Sequence, residues 1–418
     1  MNRIVLIGNG FDLAHGLKTS YVDFINWYWE QLKKKILHTN QTFINDGLIM
    51  LQLIHRRTSG FFNYFHYGAS LGEAANWSGD KLIDLLSRSG DFKIEQTTLL
   101  EEIMKSIKDK KWVDIERTYY NLLNDSRKEH STIVVKELNT QLQALTDKLC
   151  EYLKDVSNNN EQKINDAIRD KIYEPIILQD IAIESEKQKK QFVLERITGK
   201  TTSHILSNYQ AELSMYRYLN VLDIENLQED LQNDDRNNEV RHKNLALLPE
   251  YIMIVNFNYT SIANAYLPRV QSHFILNNIH GTLDNPQSII FGYGDEMDKH
   301  YQDLEDINDN NYLTHIKSCK YLEASNYRKL LQFVESAPFQ IYIMGHSCGN
   351  SDRTLLNTLF EHENCISIKP FYYQKEDGSD NYTEIAQNIS RNFKDKQALR
   401  AKVVPKDCCE PLPQASAN

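Results

Sequence analysis

The chain has no excess of positive charge: 47 Lys and Arg stand against 57 Asp and Glu, a formal net charge of −10. Neutralising a phosphate backbone needs a basic surface, so broad nucleic-acid binding is not expected. Long apolar runs are missing too, and no stretch reaches the length of a membrane-spanning helix. No cleavage-like segment opens the chain, because MNRIVLIGNGFD passes from strand-forming residues straight into a glycine turn. The six cysteines, at 150, 319, 348, 365, 408 and 409, contain no CxxC pair. That pattern suggests neither a zinc ribbon nor a disulfide framework. Reduced thiols in the cytoplasm and no bound metal are the expectation. There is no internal repeat. Glycine is scarce in the middle: after Gly90 it returns at Gly199 and then not until Gly281.

What is present is an α/β pattern. With 418 residues and 41% apolar content, the chain can bury a sizeable core in two or three domains. Arg3 to Ile7 is a short apolar run stopped by Gly8, which fits a strand buried on both faces of a parallel sheet. Ser20 followed by Asp23 starts a helix in the manner of a capping box. Further strands are expected at 251–255, 274–276, 289–291 and 340–344. Between them, 112–123 and 138–153 repeat apolar residues at helical spacing, separated by polar stretches at 157–162 and 228–238. The expectation is a Rossmann-like parallel sheet built from residues 1–35 and 246–370. A mostly helical insertion over 36–245 interrupts it, with 228–238 as the return to the core, and a C-terminal tail follows at 371–418, irregular over 388–418.

Four motifs sit at or near expected strand ends, where open parallel sheets bind ligands. The first is Gly8-Asn9-Gly10-Phe11-Asp12 with Gly16 beyond. Glycine lets a backbone approach a pyrophosphate, and amides at a helix start donate to it. A plain strand-to-helix turn gives the same letters. Asp12 reads as a cap or turn residue or as a ribose contact, since two anions repel. The second is Asn256-Phe257-Asn258-Tyr259-Thr260, where Asn258 can hold a ribose hydroxyl or a water; read alone it is an Asx turn. The third is His280-Gly281, a turn histidine able to act as a general base near neutral pH, although most such dipeptides have no role. The fourth runs from Gly345 through Ser347 to Asp352. Its small residues suit adenosine or ribose. The G-x-S-x-G letters formally match a nucleophile elbow, but His362 is the only later histidine for a triad.

Taken together and in this order, the motifs resemble the sirtuin-like NAD-binding fold, whose first loop reads G-A-G-I-S-x-x-x-G and whose asparagine motif reads T-x-N-[IY]-D. Asp12 then stands for the serine of the first loop, Thr260 for the aspartate of the second, and His280 for the catalytic histidine before glycine. The zinc module of sirtuin deacylases, with its two CxxC pairs, is absent, so protein deacylation is not implied. More narrowly, the chain resembles the AbiH family of bacteriophage abortive-infection proteins. The carriers are GNGFDLAHGLKTSYVDF, WVDIERTYYNLL, VNFNYT, IHG, FGYGDE, GHSCGNSD and CEPLPQ.

The resemblance implies phage defence and a core that binds NAD. The chemistry expected from it is hydrolysis of the nicotinamide–ribose bond, which depletes NAD in infected cells. In that reading Gly8, Asn9, Gly10, Phe11, Asp12, Gly345, Ser347 and Asp352 bind the nucleotide. Asn258 positions ribose or water, and His280 is the base. Asp114 and Glu116 are outlying additions whose bland reading is a solvated helix face. A silent enzyme of this kind implies a phage-derived trigger or a homo-oligomer. The alternatives are a non-catalytic sensor of NAD or an ADP-ribose-type signal, and a nuclease or interaction toxin acting through the helical region.

Overall fold

The computed structural model describes residues 1–54, 60–67, 78–129, 132–158, 164–182, 248–268 and 273–415. Gly199, the 228–238 stretch and residues 159–162 of the 157–162 loop lie outside them. The described residues form eight strands: β1 (Asn2–Ile7), β2 (Phe43–Asn45), β3 (Ile49–Leu53), β4 (Phe92–Gln96), β5 (Ile252–Asn256), β6 (Phe274–Asn278), β7 (Phe339–Met344) and β8 (Cys365–Phe371). Two compact units divide the chain. One contains Met1–Leu17, Glu161–Thr282 and Ala324–Asn418, the other Lys18–Asn160 and Leu283–Glu323.

The first unit is framed by a five-stranded parallel sheet in the order β6-β5-β1-β7-β8. Every residue of β1, β5 and β7 is buried. Near-continuous Ile/Val runs have this outcome when both faces of a sheet are covered. The chain lays β5 and β6 outward on one side of β1, then crosses over and lays β7 and β8 on the other. The strand ends stay level, since Ile7 pairs with Asn256 and Met344, and Asn256 with Asn278. Loops from four strands therefore leave the same edge. The winding reverses at β1, and such a reversal opens a crevice at the carboxyl ends of parallel strands.

One face of this sheet is unexpectedly polar. The Arg3 guanidinium is fully buried. It donates to the carbonyls of Ile172 and Glu174, to Gln340 and to the Tyr342 hydroxyl. Lys369 of β8 pairs with buried Asp180 at 3.1 Å. These contacts pin the 172–180 segment to the sheet and satisfy charges that would otherwise be costly to bury.

Three expectations about this fold need correction. The described part of the tail beyond 388 is not irregular throughout, since helices form at Tyr382–Arg391 and Lys396–Lys402. β8 escaped notice because Lys369 and Pro370 break its apolar run; Pro370 is tolerated on an edge strand. No strand forms at 289–291. That segment follows a single 3-10 turn at Pro286–Ser288, and only an isolated bridge, Tyr293 to Ile316, comes after it.

The second unit carries long helices at Tyr21–His38, Thr98–Lys110, Ile115–Glu129 and Thr132–Asn158. Ser20 caps the first, accepting from the Asp23 amide at 3.1 Å. The same unit also holds an antiparallel sheet, β2-β3-β4, inside the span expected to be mostly helical. Its signal is short: Ile49, Leu51 and Leu53 alternate with less buried residues, and Asn45-Asp46-Gly47 makes the hairpin turn. A period of two over five residues is easily lost beside long helical patterns. Leu283–Glu323 belongs to this unit, not to the sheet unit as its place in the sequence suggested.

Candidate functional site

The loop after β1 turns at Gly8 into a six-residue helix, Asn9–Ala14. Its glycines answer a steric demand. A Cβ on Gly8 would stand 2.6 Å from the His346 Cα, and one on Gly10 would stand 2.8 Å from the Gly345 Cα. Gly345 itself has φ +75° and lies against the Phe11 amide nitrogen. The loops after β1 and β7 are therefore in backbone contact, closer than any side chain permits. The Gly10 amide, expected to meet a pyrophosphate, donates to the Gly345 carbonyl at 2.8 Å, and the Phe11 amide to Gly8 at 2.8 Å. Asn9 is exposed at the edge, while Phe11 is buried against His15 and Tyr266.

Asp12 points inward. It is 2% exposed, and its carboxylate accepts from Asn258 Nδ2 at 2.7 Å and Thr260 Oγ1 at 2.8 Å. Burial pushes its carboxyl up to about 7, against the two hydrogen bonds that favour the charge. Asn258 also donates to the Gly8 carbonyl at 2.9 Å, so both of its amide hydrogens are engaged. Its own amide nitrogen closes an Asx turn on Asn256 at 3.1 Å, the bland reading of this motif. Asp12, Asn258 and Thr260 thus form a brace that ties the β1 loop to the β5 loop.

The third and fourth motifs meet at Asp352. His280 leaves the end of β6 through a turn that needs Gly281 at φ +86°. Its Nε2 lies 3.2 Å from Asp352 Oδ1, and the ring meets Phe257 edge-on at 5.2 Å. His346 approaches the other oxygen, with Nε2 3.5 Å from Asp352 Oδ2 and the ring 4.2 Å from Phe257. His346 Nδ1 accepts from the Cys348 amide at 3.0 Å. A neutral His346 therefore carries its proton on Nε2, facing Asp352. With His280 Nε2 toward the same carboxylate, a neutral His280 likewise carries its proton on Nε2 and takes up a second one at Nδ1. A carboxylate on one imidazole nitrogen fixes the tautomer and stabilises the imidazolium formed at the other.

His346 was given no role in the sequence reading. The overlooked signal is positional: His280 and His346 both lie two residues past the ends of parallel strands in one sheet. Ser347 is exposed and its carbonyl, not its hydroxyl, is held, by Asn388 at 2.8 Å. The left-handed residue of this loop that is not glycine is Cys348, φ +54°, a fully buried thiol pushed up by desolvation. A nucleophile elbow would have its strained residue at the serine. His362, the later histidine, faces Glu335.

Asp114 and Glu116 belong to the second unit. Asp114 caps the Ile115–Glu129 helix, accepting from the Arg117 amide at 3.0 Å. Glu116 is not on a solvated face: it is buried, pairs with Lys317 at 3.0 Å and accepts from the Gly292 amide.

Among the described residues no group of three or more His, Cys, Asp or Glu is arranged to hold a metal ion, and no helix is long and apolar enough to cross a membrane. No curated protein and no solved structure matches the chain. A family model does, that of bacteriophage abortive infection AbiH, over residues 4–374, from the third residue of β1 past the end of β8. That span takes in all four site loops and most of both units, and the chain belongs to the AbiH family of bacteriophage abortive-infection proteins.

Proposed function

We propose that this abortive-infection protein binds NAD at the carboxyl edge of its parallel sheet and hydrolyses the nicotinamide–ribose bond. The observation that carries the proposal is the His280–Asp352 pair, a histidine oriented by a buried carboxylate at the edge where the strand order reverses. In the reaction, His280 takes a proton from water at Nδ1, the oxygen of that water bonds to the ribose C1′, and nicotinamide leaves with the electrons of the broken C–N bond. Asp352 holds the His280 tautomer, and His346 steadies Asp352 from its other oxygen. The site chemistry of a Rossmann-like, sirtuin-like core also gains support from the brace. Asp12 and Thr260, the two departures from the sirtuin pattern, are hydrogen-bonded to each other. They read as one exchange, acid for hydroxyl, across a single contact. Asp12 and Asn258 accordingly shape the pocket instead of touching ribose or water. Adenosine contacts fall to the loop after β7, and pyrophosphate contacts to the exposed side of the β1 loop around Asn9.

Purified protein mixed with NAD, with and without phage lysate, tests this by release of free nicotinamide. His280→Ala should retain NAD binding and lose turnover by ~100- to 10,000-fold, the usual contribution of a general base. Nicotinamide release at the wild-type rate from that variant would remove His280 from the role. A second reading, a sensor that binds the nucleotide without cleaving it, is favoured by the engaged amides of Gly10 and Asn258. It predicts that NAD stays constant in infected cells while His280→Ala still protects them.

A further inference from the structure

The family match ends at residue 374, yet chain beyond it reaches back into the site. The helix Tyr382–Arg391 is anchored by buried Ile385 and Ile389. One helical turn apart, Asn388 donates to the Ser347 carbonyl at 2.8 Å and Asn392 to the Cys348 carbonyl at 2.9 Å. Asn392 is completely buried, and its side-chain oxygen has no hydrogen-bond partner. An unsatisfied buried polar atom is costly, and here the other end of the same group bonds two carbonyls, those of Cys348 and Asn388. The backbone of Asn392 accepts from Asn357 at 2.9 Å, on the helix Arg353–Phe360 that begins directly after Asp352. Glu361 accepts the Lys394 and Asp395 amides at 2.6 and 2.7 Å, and Phe360 stacks on Phe393 at 5.8 Å. The tail thus grips both flanks of Asp352.

We infer that Asn392, seconded by Asn388, is a positioning residue that sets the His346 tautomer and, through Asp352, the orientation of His280. The coupling runs through Cys348. Its left-handed backbone is unfavourable for a side chain and persists only where neighbours hold it. Asn392 holds its carbonyl, and its amide in turn donates to His346 Nδ1. Without the Asn392 donor the Cys348 peptide is free to turn, His346 loses the bond that keeps its proton on Nε2, and Asp352 loses one of its two imidazoles.

The test replaces Asn392 with Leu, close in size and lacking both polar ends, and Asn388 with Ala at its partly exposed site. Full-length protein with 15N-labelled histidine is examined by NMR, alongside thermal unfolding. Wild type should show His346 with an unprotonated Nδ1 and a protonated Nε2. Asn392→Leu should move both nitrogens toward the averaged shifts of exchanging tautomers, with the fold intact, and Asn388→Ala should move them the same way by less. An unchanged His346 signature in folded Asn392→Leu would overturn the inference. If that variant does not fold, Asn388→Ala decides in the same manner. The activity arm rests on the NAD reading: kcat should fall at least tenfold in Asn392→Leu with KM within about threefold. A wild-type protein that releases no nicotinamide defeats the NAD reading and leaves the NMR result standing.

Discussion

Replacing Asp12 with Asn should stabilise the protein above neutral pH, although the residue is buried at the heart of the loop contact. An amide in place of the carboxylate keeps both brace bonds: its oxygen accepts from Asn258, and its NH2 donates to the Thr260 oxygen, whose own hydrogen rotates away. What it removes is a charge that has no cation among the causes shaping it. Raising a carboxyl from 3.8 to about 7 disfavours its ionised form by ~4 kcal/mol, at 1.36 kcal/mol per pH unit. The sign follows from proton binding. Between pH 4 and 7 the folded state keeps the Asp12 proton and the unfolded state has lost it, so wild-type stability falls as pH rises through that window and levels off above it. The Asn variant has no such slope. Imperfect geometry offsets part of the gain, which leaves an expected advantage of ~1–3 kcal/mol at pH 8 that shrinks toward pH 5. Urea unfolding of both proteins at half-unit steps from pH 5 to 8.5 measures it. Parallel stability curves, or a variant weaker than wild type at every pH, would refute the account of Asp12 as a buried, cation-free carboxyl.

Two further expectations concern packing. Lys369→Met strands Asp180 inside the first unit and should lower stability by ~3–5 kcal/mol, whereas Lys369→Met with Asp180→Leu should recover most of the loss; urea midpoints distinguish the two. Gly345→Ala and Gly16→Ala share a positive φ, but a Cβ on Gly345 would meet the Phe11 nitrogen at 2.0 Å and one on Gly16 meets nothing within 4 Å. Gly16→Ala should therefore cost only the ~1–2 kcal/mol of a left-handed alanine, and Gly345→Ala should abolish soluble folded protein, as read by expression and thermal melts.

The parts of the fold that were legible in the sequence are those where one physical demand acts alone. IVLI, IMIV and IYIM are apolar because both faces of the sheet are covered, and each announces a strand. Ser20 and Asp23 cap a helix by local geometry, visible in four letters. Where two demands share the same residues, the letters are ambiguous. Glycines at 8 and 10 suggested a phosphate cradle and Gly345 an adenosine contact, and the same residues are also required where one loop backbone lies against another. Lys369 hid β8 by breaking its apolar run, and neither it nor Arg3 announced a buried role because their partners, Asp180 and Glu174, lie far away in sequence. Asp12 looked like a cap because nothing local reveals that Asn258 and Thr260 turn toward it across some 250 residues. His280 could be named from its turn, but Asp352 and His346 gain meaning only once β6 and β7 are known to end on the same edge.

The place of β1 bears on how the protein is made. The central strand leaves the ribosome before the other four of its sheet, and its Arg3 bonds Gln340, 337 residues later. At ~5–20 residues per second, ~15–70 s of synthesis separate those two residues. Until β7 emerges, β1 lacks one of its two neighbours, and His346, Asp352 and the asparagines of the tail do not yet exist. A ribosome that stalls or is cleared midway releases a chain without an assembled His280–Asp352–His346 cluster. Under the proposed function an incomplete copy is then a harmless one, and the topology itself delays the risk to the host until β7 and the loop after it have been made.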